Sequence, residues 1–137
     1  MSAYVLDTSV AIAWYLEEVF SASARAWQER LLGGKVVLVV PSLHYWEFAN
    51  VLRTLVHRRE LPETLAREIY EVHMDAPFER AEPEEKGVLD IALQYGATAY
   101  DAVYISLCLS RDIPLITAEK TTTTWVTKLR DRIEPVR

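Results

Sequence analysis

A three-layer α/β/α fold around a mostly parallel sheet of four to five strands is what this sequence predicts. Three observations carry that expectation. Short, wholly apolar runs such as Val36-Val37-Leu38-Val39-Val40 recur along the chain and stop at proline or a polar residue. Segments with helical spacing lie between them in alternation. The runs lack an apolar–polar alternation, which is the mark of strands covered by helices on both faces.

The first strand is Tyr4-Val5-Leu6, ended by Asp7. Helical patterns follow over Val10 to Leu16 and Ala22 to Leu32. Gly33-Gly34 precede the second strand, Val36 to Val40, and Pro41 stops it. Ser42, a residue type favoured at N-caps, opens a long helix to Arg59. Pro62-Glu63 opens the next, since proline suits a first turn, and Leu65, Ile69 and Val72 form its apolar stripe. Pro83-Glu84-Glu85 begins another, acidic where the helix dipole favours it, and Gly96 takes the C-terminal cap position. A helix from Ala99 to Ser110 leads to the strand Pro114-Leu115-Ile116, stopped by Thr117. Ile133 to Val136 is the last strand, and Pro135 marks it as an edge. Thr121 to Thr124 is the one low-complexity segment.

The chain has 137 residues, the length of a single domain spanning residues 1–137. Half of them are apolar and 26% charged, the balance of a globular chain. The formal charge of −5 excludes a protein that grips nucleic acid by bulk positive charge alone. The single cysteine, Cys108, excludes an intramolecular disulfide framework and a multi-cysteine zinc site, and its apolar neighbours suggest a buried thiol. No apolar run approaches the roughly 20 residues of a membrane span, and the N-terminus lacks the pattern of a secretory signal. The expected compartment is the cytoplasm.

In open parallel sheets, ligands bind beyond the carboxyl ends of the strands. Four acids fall at strand exits or early helix positions: Asp7, Glu47, Asp101 and Glu119. Converging carboxylates repel, and each ionised form resists desolvation, so a cluster calls for cations between its members. Oxygen-only ligands select Mg²⁺ or Mn²⁺, one or two ions. Each acid alone has an ordinary reading. Asp7 reads equally as an N-cap before Thr8-Ser9. Asp101 fits a capping box with Thr98. Glu119 could open a helix or face solvent. Glu47, flanked by Tyr45, Trp46, Phe48 and Ala49, is the hardest to place as an ordinary surface charge.

The ordered set Val5-Leu6-Asp7-Thr8-Ser9-Val10, Pro41-Ser42-Leu43 leading to Glu47-Phe48-Ala49-Asn50-Val51-Leu52, Tyr100-Asp101-Ala102-Val103-Tyr104 and Leu115-Ile116-Thr117-Ala118-Glu119-Lys120 resembles a PIN domain of the VapC toxin type. The resemblance covers essentially the whole chain. It implies a Mg²⁺- or Mn²⁺-dependent ribonuclease, the toxin partner of a small antitoxin, assembled as a homodimer or higher homo-oligomer. Asp7, Glu47 and Asp101 match the family's first three acids, with Asp7 and Asp101 as core metal ligands. Glu119 stands where many relatives have aspartate, which keeps the charge and lengthens the arm by a methylene. Ser9 and Thr117 match positions where hydroxyls or amides support the site. The Thr121–Thr124 run departs from the family's shorter, more apolar sequence.

A phosphodiester and this cleft carry the same sign, so RNA enters only with cations. Metal-activated water would hydrolyse the bond in line. Arg53 and His57, an i, i+4 pair further along the Glu47 helix, are candidates for a substrate path, or for a solvated basic helix end that complements the dipole. His44, three residues before Glu47, reads as a hydrogen-bonded helix residue rather than a base. The aromatic residues Trp14, Tyr15, Phe20, Trp27, Tyr45 and Trp46 fill a core or line a groove for a partner's helix. Two other classes compete: a non-catalytic PIN-like interaction module, and a Mg²⁺-binding receiver domain. The receiver needs adjacent acids after the first strand, and Leu6 and Thr8 flank Asp7 instead.

Overall fold

A computed structural model describes residues 1–137, and it is three-layered. The strands are β1 (Ser2–Leu6), β2 (Val36–Val40), β3 (Glu79–Arg80), β4 (Leu115–Thr117) and β5 (Ile133–Pro135). The helices are α1 (Thr8–Ile12), α2 (Ser21–Leu32), α3 (Leu43–His57), α4 (Glu63–Met74), α5 (Glu85–Tyr95), α6 (Ala99–Arg111) and α7 (Thr124–Leu129). All four strand pairings are parallel, in the order β3-β2-β1-β4-β5.

Side chains of successive strand residues point to opposite faces, and the two halves of the core follow this rule. Leu6 and Ile116 join the larger core with Leu38, Val40, Tyr45, Phe48 and Ile69, under α1 to α4. Their neighbours Val5 and Leu115 join the smaller one with Tyr104, Ile105, Leu107, Cys108 and Trp125, under α6 and α7. Burial pushes the Cys108 thiol up to about 11, so it packs as an apolar group. Both sheet edges are short, and β3 consists of two exposed charged residues, a composition that discourages further strand addition.

Several expected elements change. The first helix stops at Ile12 rather than Leu16. On α4 the buried positions are Ala66, Ile69 and His73, whereas Leu65 is 42% and Val72 60% exposed. The stripe is displaced because His73 enters the core with polar partners, which an apolar count does not reveal. Ser42 makes no capping bond; its hydroxyl and backbone N–H turn to the Glu82 carboxylate. Of the aromatic residues, Trp14 and Tyr45 are core, Tyr15, Phe20 and Trp27 pack against it, and Trp46 is exposed.

Gly96 ends α5 in the left-handed conformation, φ 63°. A Cβ there would meet only Thr124, its Cγ2 at 3.4 Å and its Cβ at 3.9 Å, both ordinary contacts. Gly96→Ala therefore isolates the backbone cost, and chemical denaturation should show a loss of about 1 kcal/mol. An unchanged midpoint would contradict this.

From β1 the chain moves outward to β2 and β3, then crosses back to β4 and β5. That reversal opens a crevice beside the carboxyl ends of β1 and β4.

Candidate active site

Asp7 is the first residue beyond β1, and its N–H donates to the Ile116 carbonyl of β4 at 3.0 Å. It occupies the N-cap position of α1, yet its carboxylate makes no capping bond. Instead Oδ2 accepts from Thr117 Oγ1 at 2.8 Å and from Ser9 Oγ at 3.2 Å. Both of these protein donors lie on one oxygen, and the other takes no protein donor.

Burial raises the Asp7 carboxyl to about 6, against the bond from Thr117. The neighbouring charges of Asp101 and Glu47 add to the rise, and the Ser9 bond opposes it. Asp101, in the first turn of α6, is also raised, first by desolvation and further by the charge of Glu119, while Thr98 opposes the shift. Charge thus links the four predicted acids pairwise, Glu47 and Asp101 to Asp7, and Glu119 to Asp101. Thr98 does cap α6, accepting the Asp101 N–H at 3.1 Å, so the capping role and a place in the crevice coexist.

Glu47 is half-buried on α3. Its Oε1 accepts from Tyr104 at 2.6 Å and lies 3.0 Å from Thr8 Oγ1. Glu119 is exposed beyond β4; its N–H donates to Thr117 Oγ1 at 3.0 Å. Its Oε1 accepts from Thr123 at 3.2 Å and from the Lys120 N–H at 3.3 Å. Thr117 therefore accepts from Glu119 and donates to Asp7, linking the two.

Arg53 and His57 lie elsewhere. Arg53 lines a hollow between α3 and α4 with Glu63, Arg67 and Tyr70. His57 ends α3, about 15 Å along the axis from Glu47 at the usual rise per residue. The rim beside Glu47 is instead Leu43, Trp46, Asn50 and Tyr100, with Trp46 68% and Tyr100 65% exposed. Thr8, Tyr104, His44 and His73 support Glu47, and sequence reasoning did not assign them that part. The signal available was spacing: Tyr104 lies three residues after Asp101 on α6, and His44 three before Glu47 on α3.

An all-oxygen donor set with a carboxyl raised by burial, and further by its neighbours' charge, suits a hard divalent cation. No three acidic, histidine or cysteine side chains are gathered closely enough to hold a metal ion by themselves. An ion here would take one or two carboxylates directly and keep several waters, as Mg²⁺ does elsewhere.

A family model for the PIN domain matches residues 4–121. No curated protein sequence matches the chain. Among solved structures, the chain is similar to PAE2754 from Pyrobaculum aerophilum, with a TM-score of 0.75 at 20% identity over 96% of this chain and 83% of that one. It is also similar to VapBC2 from Rickettsia felis, solved bound to a DNA fragment from its promoter, with a TM-score of 0.66 at 13% identity over 98% and 99% of the chains. At these identities the two structures speak for the fold. The family match spans most of the chain and includes Asp7, Glu47, Asp101 and Glu119, and on it the chain belongs to the PIN domain family, whose members are generally nucleases.

Proposed function

We propose that this protein is a Mg²⁺- or Mn²⁺-dependent endoribonuclease of the VapC type, acting in the cytoplasm as the toxin of a toxin–antitoxin pair. The observation that carries the reading is the Asp7 carboxylate at a strand exit, held by Thr117 and Ser9 through Oδ2 alone, with the charges of Asp101 and Glu47 beside it. Gathered carboxylates repel one another, and a cation among them relieves that cost.

Asp7 and Asp101 would hold one or two ions, with Glu47 and Glu119 adding charge. A bound ion supplies a water of lowered pKa and neutralises the phosphate. The chain's own side chains do the rest. Thr117 and Ser9 orient Asp7 by its Oδ2, and Tyr104 and Thr8 orient Glu47 by its Oε1. The exposed rings of Trp46 and Tyr100 offer faces on which unpaired bases stack, a contact available to RNA of net like charge. In-line hydrolysis then leaves a 5′-phosphate.

The antitoxin partner and a homodimeric assembly belong to this proposal. Support comes from the likeness to the VapBC2 complex and from exposed apolar residues such as Leu89 and Leu93 on α5.

The test is cleavage of mixed RNA with Mn²⁺, repeated with EDTA and with Asp101→Asn. EDTA should stop cleavage. The substitution should cost more than the roughly 100-fold typical of losing an outer-shell partner. Cleavage insensitive to both would overturn the reading, and no cleavage under any condition would favour a non-catalytic interaction module.

A further inference from the structure

A buried chain of hydrogen bonds runs from Glu47 through the larger core. Thr8 Oγ1 lies 3.0 Å from Glu47 Oε1, 2.7 Å from the Tyr104 hydroxyl and 3.1 Å from His44 Nδ1. His44 Nε2 meets His73 Nε2 at 2.8 Å, and His73 Nδ1 meets the Tyr15 hydroxyl at 2.9 Å. Both imidazoles are fully buried. Phe48 stacks on His73 with ring centroids 3.9 Å apart and planes 10° apart, which fixes the ring's orientation. Burial holds both histidines neutral, pushing His44 down to about 3 and His73 to about 4, with the neighbouring His73 lowering His44 further.

Counting protons gives this chain a direction. Thr8, Tyr104 and the Glu47 carboxylate make three mutual contacts, and only the two hydroxyls carry hydrogen. The 2.6 Å and 2.7 Å contacts of Tyr104 each need a proton to be bonds rather than repulsions. Tyr104 has one proton and gives it to Glu47, so Thr8 gives its own to Tyr104 and has no hydrogen left for His44. His44 Nδ1 must then be the donor to Thr8, so the Nε2 of a neutral His44 is bare. His73 must donate to it from Nε2, which leaves His73 Nδ1 bare and accepting from Tyr15. The opposite direction would leave three oxygen contacts around Glu47 with a single proton.

We propose that His44 and His73 are positioning residues for Glu47, forming a one-way chain of donors, Tyr15 to His73 to His44 to Thr8 to Tyr104, that ends on the Glu47 carboxylate. The histidines act as neutral, locked tautomers and neither is a proton-transfer group. Their metal-related part rests on the nuclease reading above, because it takes Glu47 as part of a cation site. The direction of the chain does not rest on it. The arrangement has the logic of outer-shell partners that fix a ligating carboxylate.

The experiment has two arms on the full chain. In ¹⁵N-histidine spectra with long-range proton correlations, His44 should carry its proton on Nδ1 and His73 on Nε2. His44 protonated on Nε2 with His73 on Nδ1 would overturn the direction. In the second arm, Mn²⁺ affinity is measured by calorimetry for the wild type, His44→Asn and His44→Leu, with circular dichroism confirming the fold. An asparagine amide nitrogen takes the place of Nδ1 and keeps the bond to Thr8, whereas leucine fills the space without it. Both lose the bond to His73, so a merely structural part would weaken both alike. His44→Leu should bind Mn²⁺ about tenfold more weakly and His44→Asn within about threefold of wild type. Equal binding by His44→Leu and wild type would refute the positioning role while leaving the metal site intact. A wild type that binds no Mn²⁺ would refute the cation site and with it the metal-related part, and the tautomer spectra would still decide the direction.

Discussion

Asp7→Asn is expected to melt at a higher temperature than the wild type near neutral pH without divalent ions, and to cut no RNA. Asparagine keeps the shape of the side chain and an oxygen for Thr117 and Ser9, and removes the charge. The sign follows from the carboxyl, which is pushed from 3.8 up to about 6 by burial first and by Asp101 and Glu47 after the opposing Thr117 bond. Below pH 3.8 it is neutral in the folded and unfolded chains alike, and no stability is lost. Between 3.8 and about 6 the unfolded chain ionises first, so stability falls as pH rises, and above about 6 the full cost stands. That gap is worth at most about 3 kcal/mol. Allowing for solvent at the partly exposed carboxylate leaves about 1–2 kcal/mol, or roughly 3–8 °C for a chain of this size. Mg²⁺ at millimolar concentration should raise the wild-type melting temperature and leave that of Asp7→Asn unchanged. A variant that melts below the wild type in EDTA would show that Asp7 is an ordinary structural carboxylate.

The buried histidine pair predicts acid lability of comparable size. His44 and His73 are lowered to about 3 and about 4, chiefly by burial. The unfolded chain takes up their protons below about pH 6.5, while the folded chain resists until about pH 4. Their contribution is fully present above 6.5 and is lost as pH falls toward 4. Going from about pH 7 to about pH 5 should cost about 2 kcal/mol per histidine, about 4 kcal/mol in all. Asp7 works in the opposite direction over the same range, so Asp7→Asn is the background in which to read the effect. Urea unfolding midpoints of that variant should drop steadily between about pH 7 and about pH 5. A flat profile would mean that the pair is charged or solvated in the folded protein.

Much of this fold is legible because burial on two faces leaves an unmistakable composition. Val36 to Val40 and Leu115-Ile116 could sit nowhere but inside a parallel sheet, and Asp7, Glu47, Asp101 and Glu119 followed from the ends of such elements. The edge strand Glu79–Arg80 was invisible, since two charged residues pair by backbone alone. Helix α7 hid behind Thr121–Thr124, a run that reads as loop although Trp125, Val126 and Leu129 are its buried face. The α4 stripe was misplaced because His73 behaves as a core residue only once His44 and Tyr15 satisfy its nitrogens. The same holds for Tyr104, whose neighbours suggest packing and whose hydroxyl is set by Thr8 and Glu47 from distant parts of the chain. Long-range polar pairing leaves no periodic trace, so it falls outside what spacing can reveal.

If these carboxylates are arranged for a divalent ion, Mn²⁺-soaked crystals read by anomalous scattering will show it. A manganese peak is expected in the crevice beyond β1 and β4, at bonding distance from the Asp7 or Asp101 carboxylate and lost in Asp7→Asn. Ordered Mn²⁺ confined to other acidic patches, with water alone beside Asp7 at saturating metal, would contradict it.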